Sequence, residues 1–191
     1  MESFIKLYGE PQLRHPYLIA AWPGMGYVAF GVASYLGKKL DVSLLGEIDA
    51  SDLFHQTNVV FKNSVVEVPR PPDNKLYYWV NQQAEHDLII FLGDAQPPAE
   101  KCYELANRVL DVAERFQVER IYTAAAALTN IDHTQEPKVF GVANCEELIA
   151  YLQEYGVIPM GEGHISGLNG LLLGVAKERG IKGLCLLGEL P

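Results

Sequence analysis

The sequence has no basic run, and its 15 Lys and Arg are outnumbered by 24 Asp and Glu, for a formal charge of −9. A phosphate backbone would meet repulsion over most of such a surface, so neither nucleic acid nor anionic membrane is an expected partner. Long apolar runs are missing as well: no stretch of the 191 residues is long and apolar enough to span a bilayer. Met1-Glu-Ser-Phe-Ile-Lys6 lacks the basic-then-apolar order of a secretory leader, so the expected location is the cytoplasm. Cysteine is scarce. Cys102, Cys145 and Cys185 are odd in number and far apart, which fits reduced thiols rather than a disulfide framework. His15, His55, His86, His133 and His164 are scattered with no pair at ligand spacing, so no metal and no cofactor is expected. A P-loop is absent, and Ser166 in Gly163-His-Ile-Ser-Gly167 lacks the spacing of a nucleophile elbow. His164 lies near it in sequence but is expected to point elsewhere. Without a repeat, low-complexity tract or linker, residues 1–191 are expected to form one domain.

What is present is a repeated strand-and-helix alternation. Phe4 to Leu7 and Tyr17 to Ala21 read as strands, followed by a helix whose apolar stripe is Ala29, Val32, Ala33, Leu36 and Leu40. Val42 to Leu45 then leads into Gly46-Glu-Ile-Asp49. This βαβ unit contains Gly24-Met-Gly26-Tyr-Val-Ala29, a match to G-x-G-x-x-[G/A], with Glu47 about twenty residues beyond. Pro23 before the first glycine and the bulk of Tyr27 oppose a dinucleotide there, and the competing reading is a packing turn. The runs at 58–61 and 64–68 suggest a hairpin about Lys62-Asn63, and Lys75 to Val80 another strand. Arg70 and His55 are the polar residues of this region that could reach a site.

Asp87 to Leu92 is a buried strand ending in Gly93-Asp94-Ala95-Gln96. The helix after it is marked by Cys102, Leu105, Ala106, Val109, Leu110, Ala113 and Phe116. Arg120 to Ala124 and Lys138 to Val142 are further strands, separated by a polar loop. Asn144-Cys-Glu-Glu147 has capping-box spacing before a helix faced by Leu148, Ile149, Leu152 and Tyr155. Last comes a glycine-rich loop (Gly161, Gly163, Gly167), a helix through Leu168, Leu171, Leu172, Val175 and Ala176, and the apolar strand Gly183 to Leu187. Ser166 or Asn169 is the expected cap of that helix, whose free N–H groups would face the loop.

Apolar strands alternating with amphipathic helices predict a three-layer α/β fold: a mostly parallel sheet, helices on both faces and a β-hairpin elaboration. Ligands of such sheets sit beyond the C-terminal strand ends, which here carry Gly24, Gly26, Glu47, Asp94, Gln96 and Glu189, with His164, Ser166 and Asn169 on the last glycine loop. Glu47, Asp94 and Glu189 are expected on one rim, but carboxylates at strand ends commonly cap helices or pair with cations, and no catalytic constellation emerges.

Trp22-Pro-Gly-Met-Gly26, Gly46-Glu-Ile-Asp49, Val68-Pro-Arg-Pro71, Asp87 to Pro97, Gly163 to Gly174 and Leu187-Gly-Glu-Leu-Pro191 together resemble the proteasome assembly chaperone 2 family nearly end to end. The resemblance implies a fold similar to purine nucleoside phosphorylases, homo-oligomers, a role in proteasome core assembly with proteasome subunits as partners, and no established reaction. Members that engage the proteasome can end in a hydrophobic-Tyr-any tripeptide, whereas this chain ends Glu189-Leu190-Pro191. Members also usually continue past the Gly-Glu-x-Pro strand, so a short or truncated member is expected. An ATP-grasp label carried by some relatives finds neither a phosphate-gripping glycine loop with a lysine nor an acidic metal pair here. The expected function is therefore a non-enzymatic assembly-chaperone-like interaction protein. The alternative is a nucleoside- or phosphate-type binding protein or hydrolase.

Overall fold

The structure, a computed structural model, describes residues 4–54 and 59–191. The chain runs β1 (Ile5–Leu7), β2 (Tyr17–Ala21), a 3-10 turn (Met25–Tyr27), α1 (Val28–Leu40) and β3 (Ser43–Ile48). A hairpin of β4 (Phe61–Lys62) and β5 (Val65–Val66) precedes β6 (Asn74–Trp79), β7 (Leu88–Gly93) and α2 (Ala99–Arg115). It ends with β8 (Arg120–Leu128), β9 (Val139–Ala143), α3 (Glu147–Glu154), β10 (Ile158–Pro159), α4 (Leu168–Glu178) and β11 (Lys182–Leu190).

Among these residues a nine-stranded sheet has the order β1-β3-β6-β7-β2-β8-β11-β9-β10. Its centre, β7-β2-β8-β11, is parallel as expected. Outside it β1 with β3, β3 with β6, β6 with β7 and β9 with β11 are antiparallel and β9 with β10 is parallel, so the sheet is mixed rather than mostly parallel. For β6 and β7 the reason lies in the connection. A parallel neighbour needs a crossover of a dozen or more residues, commonly a helix, and no helix separates β6 from β7.

Alternation along β2 sorts the helices. Leu18 and Ala20 join Leu105 and Val109 of α2 and Leu168 and Leu172 of α4 in one core, whereas Ala21 packs with Ala29 and Ala33 of α1 on the other face. Helices thus cover both faces, and the three layers stand. Arg108 of α2 is buried inside the larger core. It donates to both Asp52 oxygens at 2.7 and 2.6 Å, to Glu104 at 2.6 Å and to the Asp49 carbonyl at 2.8 Å, which ties the turn after β3 to the helix. β11 lies inside the sheet, as its composition predicts, and runs further than Gly183 to Leu187. Leu184, Cys185 and Leu187 are buried, but Leu186 is only half-buried because its register partners are the small Ala124 and Gly141.

The hairpin turns one residue later than expected, at Asn63-Ser64, where φ values of 49° and 66° give the left-handed pair of a tight hairpin. It stands apart from the main sheet with Phe61, Val65 and Val66 exposed. His55 and Asn58 lie outside the described residues. The capping box before α3 does not form: Asn144 instead donates to the Ile181 carbonyl at 2.9 Å and accepts from Gly183 N–H at 2.9 Å, joining β9 to β11. No helix among the described residues is long and apolar enough to cross a membrane.

Candidate functional site

The C-terminal ends of β2, β8 and β11 meet the 160–167 loop around a cavity of about 480 Å³. Gly24, Gln96, His164, Ser166 and Asn169 all line it. Five of the nine expected site residues therefore converge. The walls are Met25, Ala125, Ala126, Ala127, Leu128, Met160, Ile165 and Leu187, and no lining residue is Asp, Glu, Lys or Arg. Its one titratable lining side chain is His164.

Its two amides are engaged by backbone. Asn169, in the first turn of α4 and buried, accepts from Trp22 N–H at 3.1 Å and donates to Trp22 C=O at 3.3 Å. Gln96, on the loop after β7, donates to Pro23 C=O at 2.7 Å and accepts from Leu168 N–H at 2.8 Å. Gln96 is thus the cap of α4 that was expected of Ser166 or Asn169, supplied from 72 residues away. The cap position itself is Gly167 at φ +76°, where an added Cβ would lie 2.6 Å from the Gln96 carbonyl oxygen. His164 and Ser166 are exposed at the mouth.

The glycines of the dinucleotide fingerprint fall in the turn between β2 and α1. Gly26 sits at φ +60° in the 3-10 segment, and a Cβ there would meet Leu190 at 2.7 Å, so the end of β11 occupies the space beside it. Gly26 does not line the cavity.

The acidic rim does not assemble. Glu47 lies on the same sheet edge, but five strand spacings, roughly 24 Å, separate β3 from β11. It faces a different cleft, of about 380 Å³, with Lys6 at 3.2 Å. Asp94 is exposed after β7 and lines neither cavity. Glu189 accepts from Lys138 N–H and Thr129 Oγ1, both at 2.8 Å, which holds its carboxyl below the usual range and clamps the end of β8 to the start of β9. Among the described residues no group of three His, Cys, Asp or Glu could hold a metal ion.

The fold and its cavity define a mixed three-layer α/β protein in which three turns meet at a hollow above the central strands. Residues 18–191 match the model of the PAC2 family, and the chain belongs to that family. It is similar to the crystal structure of Pyrococcus furiosus PbaB, an archaeal proteasome activator, with TM-score 0.82 and 33% identity over 97% of this chain and 79% of that one. Pyrococcus furiosus PbaA, an archaeal homolog of proteasome-assembly chaperone, matches with TM-score 0.74 and 25% identity, covering 97% and 72%. The uncharacterized protein MJ1210 of Methanocaldococcus jannaschii is 27% identical over 185 residues, 95% of this chain and 68% of that protein.

Proposed function

We propose that this chain is a non-enzymatic, homo-oligomeric, cytoplasmic interaction protein that acts on proteasome subunits in the manner of an assembly chaperone. The observation that carries this reading is the 33% identity to a proteasome activator over nearly the whole chain. Two features support it. The cavity amides brace turns rather than reach for a ligand, and the hairpin at residues 61–66 holds apolar side chains out to solvent, where a partner could cover them. Affinity capture of the tagged chain from its native host, read by mass spectrometry, tests the partner, and light scattering on the eluted protein tests self-association. Proteasome subunits above background and a mass of at least two chains are expected. A monomer that captures no proteasome subunit would refute the reading.

One observation favours a second reading, a small-molecule binder with the purine nucleoside phosphorylase-like fold: the cavity is within the size range of ligand pockets. A thermal-shift panel of nucleosides, nucleotides and phosphate distinguishes the two, since a ligand at about a hundred times its Kd adds roughly 2.7 kcal/mol. A flat panel sinks the second reading.

A further inference from the structure

The opposite edge of the sheet carries a different arrangement. Tyr17, Arg120 and Lys182 stand in register at the N-terminal ends of β2, β8 and β11. They line a cleft of about 380 Å³, and the first cavity begins at Ala125, roughly 17 Å further along β8 at ~3.3 Å per residue. The guanidinium carbon of Arg120 is 4.3 Å from the ring centroid of Tyr151, on α3, and 5.3 Å from that of Tyr17. Nη1 donates to Tyr122 Oη at 3.2 Å.

Arg14, Arg108, Arg115 and Arg179 each reach a carboxylate within 4.0 Å, but among the described residues Arg120 and the loop residue Arg70, which is exposed, reach none. The acids beside it are already engaged: Glu119 with His15 at 2.5 Å and Glu147 with Lys182 at 2.6 Å. One donor of the fork goes to a phenol, and the remaining N–H groups of the guanidinium have no protein acceptor among the described residues. Tyr17 is fixed in turn by stacking on His86 and by an Oη to Nε2 contact of 2.8 Å.

We propose that this cleft is a binding site for a carboxylate carried on a partner polypeptide, with the Arg120 fork as its acceptor-seeking group. A fixed, planar cation between tyrosine rings matches a planar monoanion end-on and loses little freedom on binding. The class of ligand follows from charge. A single unmatched cation balances a single negative charge, whereas a phosphate dianion would be left with a charge in excess and would be repelled by Glu119 and Glu147 about twice as strongly as a carboxylate. Tyr and Arg are moreover the residues that dominate protein interfaces. The carboxylate is an acidic side chain or a chain terminus, two sources with the same chemistry. The proposal does not depend on the identity of the partner assigned above.

The full chain, labelled with 15N, is titrated with acetyl-Gly-Gly-Glu-Gly-Gly-amide, with acetylated pentaglycine bearing a free terminus, and with a neutral blank in which Gln replaces Glu. The Nε–H signal of Arg120, assigned by its loss in Arg120→Lys, is the readout. A saturable shift with at least one of the acidic peptides and none with the blank is expected, and the responding peptide identifies the source. Both variants lack that signal, so their binding is read from the backbone amide shifts of Glu119 and Lys182; it should weaken by about tenfold or more in Arg120→Gln and partly in Arg120→Lys, which keeps the charge but not the fork. Circular dichroism of both variants separates lost binding from lost fold. Absence of any shift beyond the blank, undiminished binding in a folded Arg120→Gln, or tighter binding of inorganic phosphate than of either peptide overturns the proposal.

Discussion

Asn169→Ala tests whether the polar side chains of the cavity serve architecture. The substitution removes both partners of Trp22, whose N–H and C=O are 3.1 and 3.3 Å from the amide, in a residue with no solvent exposure. A buried backbone group left without a partner costs about 1–3 kcal/mol, and the longer bond belongs at the low end, so the expected loss is about 2–4 kcal/mol. Gln96→Ala removes a helix cap and the bond to Pro23, for about 1–2 kcal/mol. Both amides hold the same turn at residues 22–24, so the double variant should fall short of the summed single losses by more than ~0.5 kcal/mol. Urea unfolding, compared by midpoint at unchanged slope, is the assay. Ser166→Ala is the control, expected within about 0.5 kcal/mol because its hydroxyl is exposed and binds nothing in the structure. If Asn169→Ala unfolds like the control, the amide is free for a ligand and the bracing argument fails.

Three further outcomes are expected. Arg108 holds the Asp52 carboxyl below its ordinary value of 3.8, so the stability it contributes is full above that pH and is lost as pH falls through the depressed value; Asp52→Asn should flatten this acid limb in urea midpoints taken downward from neutral pH, and an unchanged limb would refute the coupling. Burial pushes the Cys185 thiol up to about 11, and Cys102 is raised too, so a thiol reagent at mildly alkaline pH should label Cys145 alone in the folded protein, with the other two reacting only after unfolding. Leu184→Asp places an unpaired charge at a position 1% exposed and should cost about 4 kcal/mol or more, whereas Leu186→Asp, on the half-buried position, should cost less; equal unfolding midpoints would refute this order.

Where local pattern decides, the sequence was readable. The stripe from Cys102 to Ala113 gives α2, and the apolar run of β11 places it inside the sheet, because a strand unpolar on both faces needs neighbours on both sides. Where an end is decided by a distant partner, it was not. Arg120 to Ala124 continues to Leu128 because β11 pairs with it over nine positions, and no residue within β8 marks that extension. The cap of α4 was assigned to its neighbours Ser166 or Asn169, since capping rules are local, yet the acceptor is Gln96 on another loop. Asn144 had the right spacing for a box and instead joins two strands. The Arg120 cluster left one usable signal, an arginine opening a strand in register with Tyr17, but the pairing of β2 with β8 had to be known first.

The rim of carboxylates failed for a related reason, and that failure bears on function. Glu47, Asp94 and Glu189 all lie at or just past the C-terminal ends of strands that point the same way, so strand direction alone puts them on one edge. Distance along that edge depends on strand order, and β6 and β7 stand between β3 and β2, moving Glu47 away from the cavity. Each carboxylate at a strand end must then be stabilised where it stands. Lys6 does so for Glu47 from 41 residues away, and Lys138 and Thr129 do so for Glu189. What remains over the central strands is alanine, leucine, isoleucine, methionine and two braced amides, with His164 and Ser166 at the mouth, a lining suited to holding three turns in fixed relation. A protein that must present those turns to another chain needs that rigidity more than it needs an acid or a base, which is why the bracing of Trp22 and Pro23 is the point at which the interaction reading is most exposed to test.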